Sequence, residues 1–323
     1  MTPLSRRGMI TGTASSALAL GTTGLALPAF AKASMLGAAR PTFRRFTLGD
    51  FEITTLLDGA VPVPDPQTIF GTDQDPEAVA ALLTENDLPA ALAEFTFIPV
   101  LVNTGESLIL FDTGNGEGAR PARGLMSERI AAAGYSIDQI DTVVLTHMHP
   151  DHIGGMMEAG APAFPNATYV TGATEYDFFS STDRMGSPAE GIHQLVMSNV
   201  APVADRITFV NPGDSVASGV EAVAAFGHTP GHMVWHIESD GQRLLLAADT
   251  ANHFVLSLQR PDWEVRFDMD KAAAAATRKE ILGMVAADSI PFIGYHMPFP
   301  GVGYLSAQGD GFRFEPASYQ LNV

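Results

Sequence analysis

Residues 141–155, DTVVLTHMHPDHIGG, constrain the fold and chemistry of this chain more than any other stretch. They open with an apolar run at 143–145, which is typical of a short buried strand. Two histidines at alternate positions then leave the strand end on the same side, and Pro150 bends the chain back toward them. Imidazoles and carboxylates suit zinc or another borderline divalent ion. The stretch therefore predicts a metal site containing His147, His149, Asp151 and His152.

Three later stretches also place potential ligands after apolar runs. His228 and His232 both lie in GHTPGH, and spacing alone leaves open which of them binds a metal. Asp249 ends LLLAAD, where a buried carboxylate without a partner would be costly. His296 ends PFIGYH in the same way. Because rigid strands hold such residues and loops surround them, we expect a site along one edge of a pair of sheets.

Together these stretches resemble the metallo-β-lactamase superfamily of hydrolases. HMHPDH matches its H-x-H-x-D-H signature, and FGHTPGH, AADT and GYHMPFPGVGY are similar to its methyl parathion hydrolase branch. The resemblance covers residues 40–323. It implies an α+β fold in which two sheets lie between outer helices as an αββα four-layer sandwich. The residue pattern itself indicates only strands in each half with helices between them.

The resemblance also implies a binuclear site for two divalent ions, with zinc as the expected metal. In that family the first histidine of the GHTPGH motif is the ligand, which assigns His228 and leaves His232 to support the site. A bridging hydroxide would cleave an ester, lactone or phosphotriester bond, and Asp151 or Asp249 would accept the proton. One ion would be bound by His147, His149 and His228, the other by Asp151, His152 and His296, with Asp249 bridging them.

Candidate substrate contacts come from three stretches. In the parathion hydrolase branch an aromatic side chain after the motif lines the leaving-group pocket, which favours Phe179 over Phe178. Asn252 and His253 lie just past the predicted bridging carboxylate and could line the same pocket. Small residues stand where a pocket aromatic would be expected, which favours lactone or aryl-ester cleavage over parathion-type hydrolysis. These are Gly116, Gly118 and Ala119.

Three further polar residues have less specific signals. Asp112 ends a buried strand, where it could orient a metal ligand or cap its own turn. His193 is isolated and His236 lies within a predicted strand, so both are expected to be structural.

Composition restricts the partners. The 323-residue chain has a net charge of −18, which opposes binding to nucleic acid phosphates. It contains no cysteine, which excludes disulfides, thiolate ligands and cysteine nucleophiles. We therefore expect a small-molecule substrate, no nucleic acid and no membrane anchor in the mature form, and we leave a homodimer open.

Residues 1–31 resemble a twin-arginine signal peptide. Arg6 and Arg7 precede a modestly apolar run that ends in the small-x-small sequence Ala-Phe-Ala at 29–31. The run is rich in Gly, Ser and Thr, which disfavours a transmembrane anchor. We expect export to the periplasm or secretion, a linker at 32–42, and one hydrolase domain over 43–323.

Two other functions of the same fold remain as alternatives. A glyoxalase II-like thioester hydrolase would need a basic, helical C-terminal domain, whereas the sequence here predicts a closing hairpin. A redox diiron protein of this fold would have a glutamate at the position of His149 and an added flavin domain. The pattern elsewhere predicts a loop at 60–75 and a helix at 76–94.

Overall fold

The computed structural model describes residues 33–318. Residues 33–40 have no regular secondary structure, and a separate compact unit begins at Pro41. The proposed signal at 1–31 lies outside the described residues and stays a prediction. Among the residues that are described, no helix is both long and apolar enough to cross a membrane.

Strands and short helices alternate along the first part of the domain. In chain order they are β1 (Phe43–Leu48), β2 (Phe51–Leu56), β3 (Gly59–Pro64), α1 (Pro76–Glu85), β4 (Leu92–Phe97), β5 (Val100–Asn103), β6 (Leu108–Phe111), α2 (Met126–Ala132), β7 (Thr142–Leu145), α3 (Pro150–Ile153), β8 (Met157–Glu158), β9 (Ala161–Pro162), β10 (Thr168–Gly172), α4 (Ala173–Ser180), α5 (Glu190–Asn199) and β11 (Ile207–Val210).

The second part is mainly a meander of strands with one long helix. Its elements are β12 (Ser215–Ala217), β13 (Val220–Ala224), β14 (Met233–Ser239), β15 (Gln242–Ala248), α6 (Leu256–Gln259), α7 (Lys271–Asp288), β16 (Phe292–Gly294), β17 (Val302–Gln308) and β18 (Gly311–Pro316).

Two seven-stranded sheets form the centre of the domain. The first has the order β1-β2-β5-β6-β7-β10-β11, and the second contains β12 to β18 in chain order. Apolar side chains from the facing sides of the two sheets form one buried cluster. Within it the rings of Phe111 and Trp235 pack edge to face, with their centroids 5.6 Å apart. This burial of large side chains from both sheets is the main force that holds the sheets together.

Helices cover the outer face of each sheet. Ile130 of α2, Phe179 of α4 and Val196 of α5 pack in the cluster outside the first sheet. Leu282 and Val285 of α7 pack outside the second sheet. The four layers are therefore helix, sheet, sheet and helix, which confirms the αββα sandwich predicted from the resemblance.

Parallel pairing brings the ends of distant strands to one edge. Phe111 pairs with Val144 where β6 runs parallel to β7, so the residues after both strands emerge together. Ala248 pairs with Gly294 where β15 runs parallel to β16, so Asp249 and His296 also emerge at neighbouring positions. The candidate ligands meet for this reason, although they are distant in sequence.

The segment predicted as a loop at 60–75 was assigned wrongly in part. β3 pairs antiparallel with β4 in a separate two-stranded sheet, and Pro62 lies opposite Glu94. A proline is tolerated there because an edge strand does not need every backbone N–H. The predicted helix at 76–94 ends at Glu85, because β4 begins at Leu92 and its residues pair with β3.

Candidate metal centre and cavity

The first group of potential ligands comprises His147, His149, His228 and Asp249. One nitrogen or oxygen from each lies within 4.8 Å of the others. Nδ1 of His149 lies 3.0 Å from Nε2 of His147 and 2.8 Å from Nε2 of His228. His147, His228 and Asp249 are buried, and His149 is half-buried at the cavity wall. Three imidazole nitrogens therefore converge on one point with a carboxylate beside them.

The second group comprises Asp151, His152 and His296, again within 4.8 Å of one another. Oδ2 of Asp151 lies 3.5 Å from Nε2 of His152 and 3.4 Å from Nε2 of His296. Nδ1 of His296 is 2.8 Å from the carbonyl oxygen of Thr96, so this nitrogen carries the proton and Nε2 faces the group. The two groups coincide with the pairing predicted for the two ions, while the ligand roles themselves stay a prediction.

Asp249 lies between the two groups. Its Oδ2 is 3.3 Å from Nε2 of His228 and 3.2 Å from Nε2 of His296. Its Oδ1 is 3.3 Å from Nε2 of His152. One carboxylate thus contacts histidines of both groups, as a bridging ligand would.

Asp112 sets the orientation of two histidines. Its Oδ2 lies 2.8 Å from Nδ1 of His152 and accepts a hydrogen bond from the Thr146 hydroxyl at 2.9 Å. Because that hydroxyl donates to Asp112, its oxygen can accept from Nδ1 of His147, 3.1 Å away. Both histidines are then protonated at Nδ1 and present Nε2 to the centre. The structure thus supports the orienting role considered for Asp112.

Asp268 and Arg278 were missed by the sequence reasoning. Oδ1 of Asp268 lies 2.8 Å from Nδ1 of His228, and Oδ2 accepts a hydrogen bond from the Arg278 guanidinium at 2.7 Å. Arg278 also donates to the carbonyl oxygens of Thr250 and Pro261. This buried arginine therefore fastens the segment after β15 to α7, and Asp268 extends that support to the metal centre.

Asn252 and His232 position the central carboxylate. Asn252 Nδ2 donates to Oδ2 of Asp249 at 3.0 Å. Nε2 of His232 accepts the backbone N–H of Asp249 at 3.2 Å, and its Nδ1 lies 2.9 Å from the carbonyl oxygen of Ala225. His232 uses both ring nitrogens in this way and belongs to neither group, whereas His228 belongs to the first.

Glu175 and Tyr295 tie the ligand loops together. The buried Glu175 carboxylate accepts the backbone N–H of Met148 at 2.9 Å and that of Gly231 at 2.8 Å. A Cβ at Gly231 would lie 2.3 Å from the Glu175 backbone nitrogen, so only glycine permits this approach. The Tyr295 hydroxyl donates to the Asp151 carbonyl oxygen at 2.6 Å. Neither residue has a local motif that would reveal this role.

Burial and the neighbouring carboxylates shift the histidine pKa values of the cluster in opposite directions. Burial lowers the pKa of His149 to about 3 and holds the pKa of His147 well below its usual value. Burial also disfavours a charged His152, yet Asp112 and Asp249 raise its pKa well above its usual value. Nε2 of His152 and Oδ1 of Asp249 are buried without a hydrogen-bond partner within residues 33–318. Cations between these atoms would resolve both conflicts, so the two groups fit a dinuclear metal site.

A cavity of about 830 Å³ opens directly onto the centre. Its walls are mainly apolar and come from the two-stranded β3–β4 sheet, the loop before α2, the α4–α5 region and the segment before α7. It is lined by Val61, Phe95, Phe97, Asn115, Arg123, His149, Pro150, Asp151, Phe178, Arg184, Ser187, Pro188, Ala189, Ile192, Asp249, Arg266, Phe267, Asp268, Met269 and His296.

The structure places the predicted pocket residues outside the lining of this cavity. Phe179 is fully buried in the core outside the first sheet, and its neighbour Phe178 lines the cavity instead, because adjacent helical residues face different directions. Asn252 is buried against Asp249 and does not line this cavity. His253 lines a separate cavity of about 340 Å³. Its Nδ1 accepts the backbone N–H groups of Val255 and Leu256.

The small residues at 116–119 do not bear on pocket size. Gly116, Gly118 and Ala119 are absent from the cavity lining among the described residues. Gly116 has φ +77°, and a Cβ there would lie 2.2 Å from the Gly154 carbonyl oxygen. Glycine is required at this position for backbone packing. Aromatic side chains do line the cavity from elsewhere, including Phe95, Phe97 and Phe178.

The isolated histidines have structural contacts. His193 is buried on α5, and its Nδ1 lies 2.8 Å from the carbonyl oxygen of Phe179. Nε2 of His236 accepts a hydrogen bond from Arg243 on the neighbouring strand at 3.0 Å. Neither residue lines the large cavity.

Comparisons with known proteins agree with this geometry. Residues 99–291 match the family model described as the metallo-beta-lactamase superfamily. AidC, a dizinc quorum-quenching lactonase solved with a product, shares 27% identity at a TM-score of 0.79, over 86% of this chain and 98% of that chain. The hydrolase AbOPH shares 26% identity at a TM-score of 0.80, over 87% and 99%. No curated protein sequence matches significantly.

A third solved structure extends the likeness of fold. A probable metal-dependent hydrolase from Staphylococcus aureus has a TM-score of 0.68, covering 84% of this chain and 99% of that chain. Its identity of 20% supports a shared fold alone.

Proposed function

The chain belongs to the metallo-β-lactamase superfamily, and on this premise we propose that it is a binuclear metal-dependent hydrolase that opens lactones or cleaves related carboxylic esters. The observation that carries the proposal is the position of the two ligand groups at the floor of the 830 Å³ cavity. A small organic molecule of ordinary size fits such a cavity. The similarity to AidC, which is described as a lactonase, favours the lactone among ester substrates.

Two divalent ions at this centre would polarise the scissile carbonyl and lower the pKa of a bound water to near 7. Zinc is the proposed metal, because the ligands are imidazoles and carboxylates and AidC is described as dizinc. The protein's own contribution is orientation. Asp112 and Asp268 hold histidine rings with Nε2 toward the centre. Without these partners the rings could adopt the wrong tautomer.

Proton transfer is assigned to Asp151 and Asp249, the cavity-lining carboxylates that belong to the two ligand groups. The Asp151 side chain is 20% exposed and Asp249 only 4%, so Asp151 is the more accessible to water and substrate. Asp249 is held by Asn252 and by contacts to both ligand groups. Either carboxylate can take a proton from the attacking water and pass it to the leaving alcohol.

A glyoxalase II-like role finds no support in the described residues. Their C-terminal part is the β17–β18 hairpin, and no helical domain follows it up to residue 318. The four cavity-lining phenylalanines offer an apolar surface for an acyl chain or an aryl leaving group.

A panel of N-acyl lactones, aryl esters, phosphotriesters and a β-lactam tests the proposal. Each is assayed with chelator-treated protein and with the same protein after zinc is restored. We expect metal-dependent turnover of lactones or aryl esters above that of the other classes. Turnover that survives complete metal removal, or no ester or lactone turnover at all, would overturn the proposal.

We also propose export by the twin-arginine route, which the sequence of residues 1–31 supports. Replacing both Arg6 and Arg7 by lysine should retain the precursor in the cytoplasm. An unchanged periplasmic or secreted yield would exclude this route.

A further inference from the structure

The cavity above the metal centre has arginines in its wall, although the chain is strongly acidic. The sequence contains 36 acidic and 18 basic residues. Arg123, Arg184 and Arg266 nevertheless line the cavity. Its acidic lining residues are Asp151, Asp249 and Asp268, and all of them already contact histidines of the metal centre. Within residues 33–318, none of these carboxylates forms an ion pair with a cavity arginine.

Arg184 is the most distinctive of the three. Its Nε is buried and has no hydrogen-bond partner in the described part of the chain. Its Cζ lies 4.3 Å from the centroid of the Phe178 ring, which holds the guanidinium by a cation–π contact. Its backbone N–H donates to the Ser181 carbonyl oxygen, and its own carbonyl oxygen accepts from the Ser187 hydroxyl. The backbone of Arg184 is thus held by its neighbours and the guanidinium by Phe178, while Nε is left without an acceptor in the described residues.

Three other arginines among the described residues have side-chain hydrogen-bond partners. Nε of Arg123 donates to Oδ1 of Asn115 at 2.8 Å. Arg278 binds Asp268, and Arg120 forms two hydrogen bonds with Glu158. Buried polar atoms are nearly always partnered in native proteins, so an unpartnered arginine nitrogen at a cavity wall indicates a ligand group. Pro188 and Ile192 make the adjacent wall apolar, which strengthens a charged contact there.

We propose that Arg184 binds a carboxylate of the substrate, so that the substrate is a lactone or ester carrying a carboxylate away from the bond that is cleaved. A guanidinium presents parallel N–H donors that match the two oxygens of a carboxylate. This local positive charge also offsets the repulsion between an anionic substrate and a chain of net charge −18. The inference rests on the proposed hydrolase function and specifies its substrate class.

The test uses matched substrates with the zinc-loaded protein. Para-nitrophenyl monoesters of straight-chain diacids, from adipic to sebacic acid, are compared with the same compounds capped as neutral methyl esters. The measured quantity is the ratio of kcat/KM for the acid to that for its methyl ester, from release of nitrophenol. At one or more chain lengths we expect a ratio of about ten or more, since a single charged hydrogen-bonding contact accounts for that factor.

Arg184→Met should bring this ratio close to one, and Arg184→Lys should leave an intermediate ratio because it keeps the charge without the fork. Arg313→Met is the matched control, since Arg313 is exposed on β18 and lies outside the cavity lining. Its ratio should equal that of the wild type. Thermal unfolding and zinc content of each variant show whether it is folded and loaded.

Outcomes separate the two proposals. Zinc-dependent hydrolysis of the neutral esters with a wild-type ratio near one at every length overturns the carboxylate assignment and leaves the hydrolase function standing. A high ratio that persists in folded Arg184→Met also overturns it. No hydrolysis of any substrate overturns the hydrolase function itself. If the methionine variant fails to fold, Arg184→Lys decides the assignment, because a ratio equal to that of the wild type would overturn it.

Discussion

Oδ2 of Asp112 lies 2.8 Å from Nδ1 of His152, and this contact determines which nitrogen of the ring faces the metal centre. An ionised carboxylate accepts hydrogen bonds but cannot donate them, so Nδ1 of His152 must carry the proton in this contact. In the neutral ring Nε2 of His152 is then the nitrogen with a free lone pair, and it is one of the buried atoms without a hydrogen-bond partner in the described residues. The ring is held in the tautomer that a metal ligand needs.

Replacing Asp112 by asparagine should weaken metal binding about 10–100-fold, the usual cost of losing such a supporting partner. The asparagine amide would either turn its NH₂ group toward Nδ1 of His152 or place that group against the backbone N–H of Thr146, which now donates to Asp112. Asparagine tolerates the left-handed backbone at this position, where φ is +61°, so the loop itself should persist. Competition with a chromogenic chelator measures the affinity.

Asp310→Asn is the matched control for this experiment, because Asp310 is exposed in the β17–β18 turn. Its zinc affinity should equal that of the wild type. Equal affinity in Asp112→Asn would show that the hydrogen bond does not prepare His152 for a metal.

Asp249→Ala should lower both metal content and turnover by removing the carboxylate that contacts both ligand groups. Its oxygens lie 3.3 Å from Nε2 of His152 and of His228. With that carboxylate absent, at least one ion should be weakly held, and turnover should fall by orders of magnitude. Metal analysis and kinetics on the best substrate give both quantities.

Asp288→Ala serves as its control, since it removes only an exposed ion pair with Arg243. Such a pair contributes about 0–1 kcal/mol, and turnover should be unchanged. An Asp249→Ala protein that keeps two ions and most of its activity would exclude a bridging role.

Glu175 predicts a pH dependence of stability. Burial, opposed by hydrogen bonds from the Met148 and Gly231 backbones, raises its pKa from 4.5 to about 7. Between these values the unfolded chain is deprotonated while the folded protein keeps the proton. The folded state therefore loses stability as the pH rises from 4.5 through 7, by up to about 3 kcal/mol from this group.

Glu175→Gln removes this titration and leaves the other groups in place. The free energy of unfolding of the wild type relative to the variant should fall as the pH rises across that window. Denaturant unfolding of both proteins at fixed zinc concentration measures the difference. A difference that is independent of pH would show that Glu175 does not titrate in the folded state near neutral pH.

Phe178 and Phe179 should respond to alanine substitution in different ways. Phe178 lines the cavity, so Phe178→Ala should mainly raise KM for bulky substrates. Phe179 is fully buried in the core, so Phe179→Ala should cost about 3–5 kcal/mol of unfolding free energy. Kinetics and denaturant unfolding on both variants check this. The reverse pattern would contradict the orientation of α4.

These two residues also show where prediction from sequence reached its limit. The histidines and carboxylates at strand ends were predictable, because their motifs are local and each follows an apolar run. Choosing between Phe178 and Phe179 requires the rotation of a helix against its sheet, which one aromatic pair does not encode. The pairing of β3 with β4 was missed because its prolines resemble loop residues.

Supporting residues were harder still to predict. Asp268 lies 40 positions from the His228 that it supports, and Glu175 joins two loops whose residues Met148 and Gly231 are 83 apart by numbering. Their roles arise from packing between elements that are distant in sequence. Asp112 was recognisable as a candidate because it also ends a strand beside the motif.

Zinc titration of the metal-free protein, with turnover and bound metal followed together, tests the dinuclear centre most directly. We expect about two ions per chain, with turnover appearing fully only when both are bound. The same preparation returned to chelator should lose its activity. Full activity at one ion per chain, or activity that is independent of zinc, would contradict a shared centre built from these seven residues.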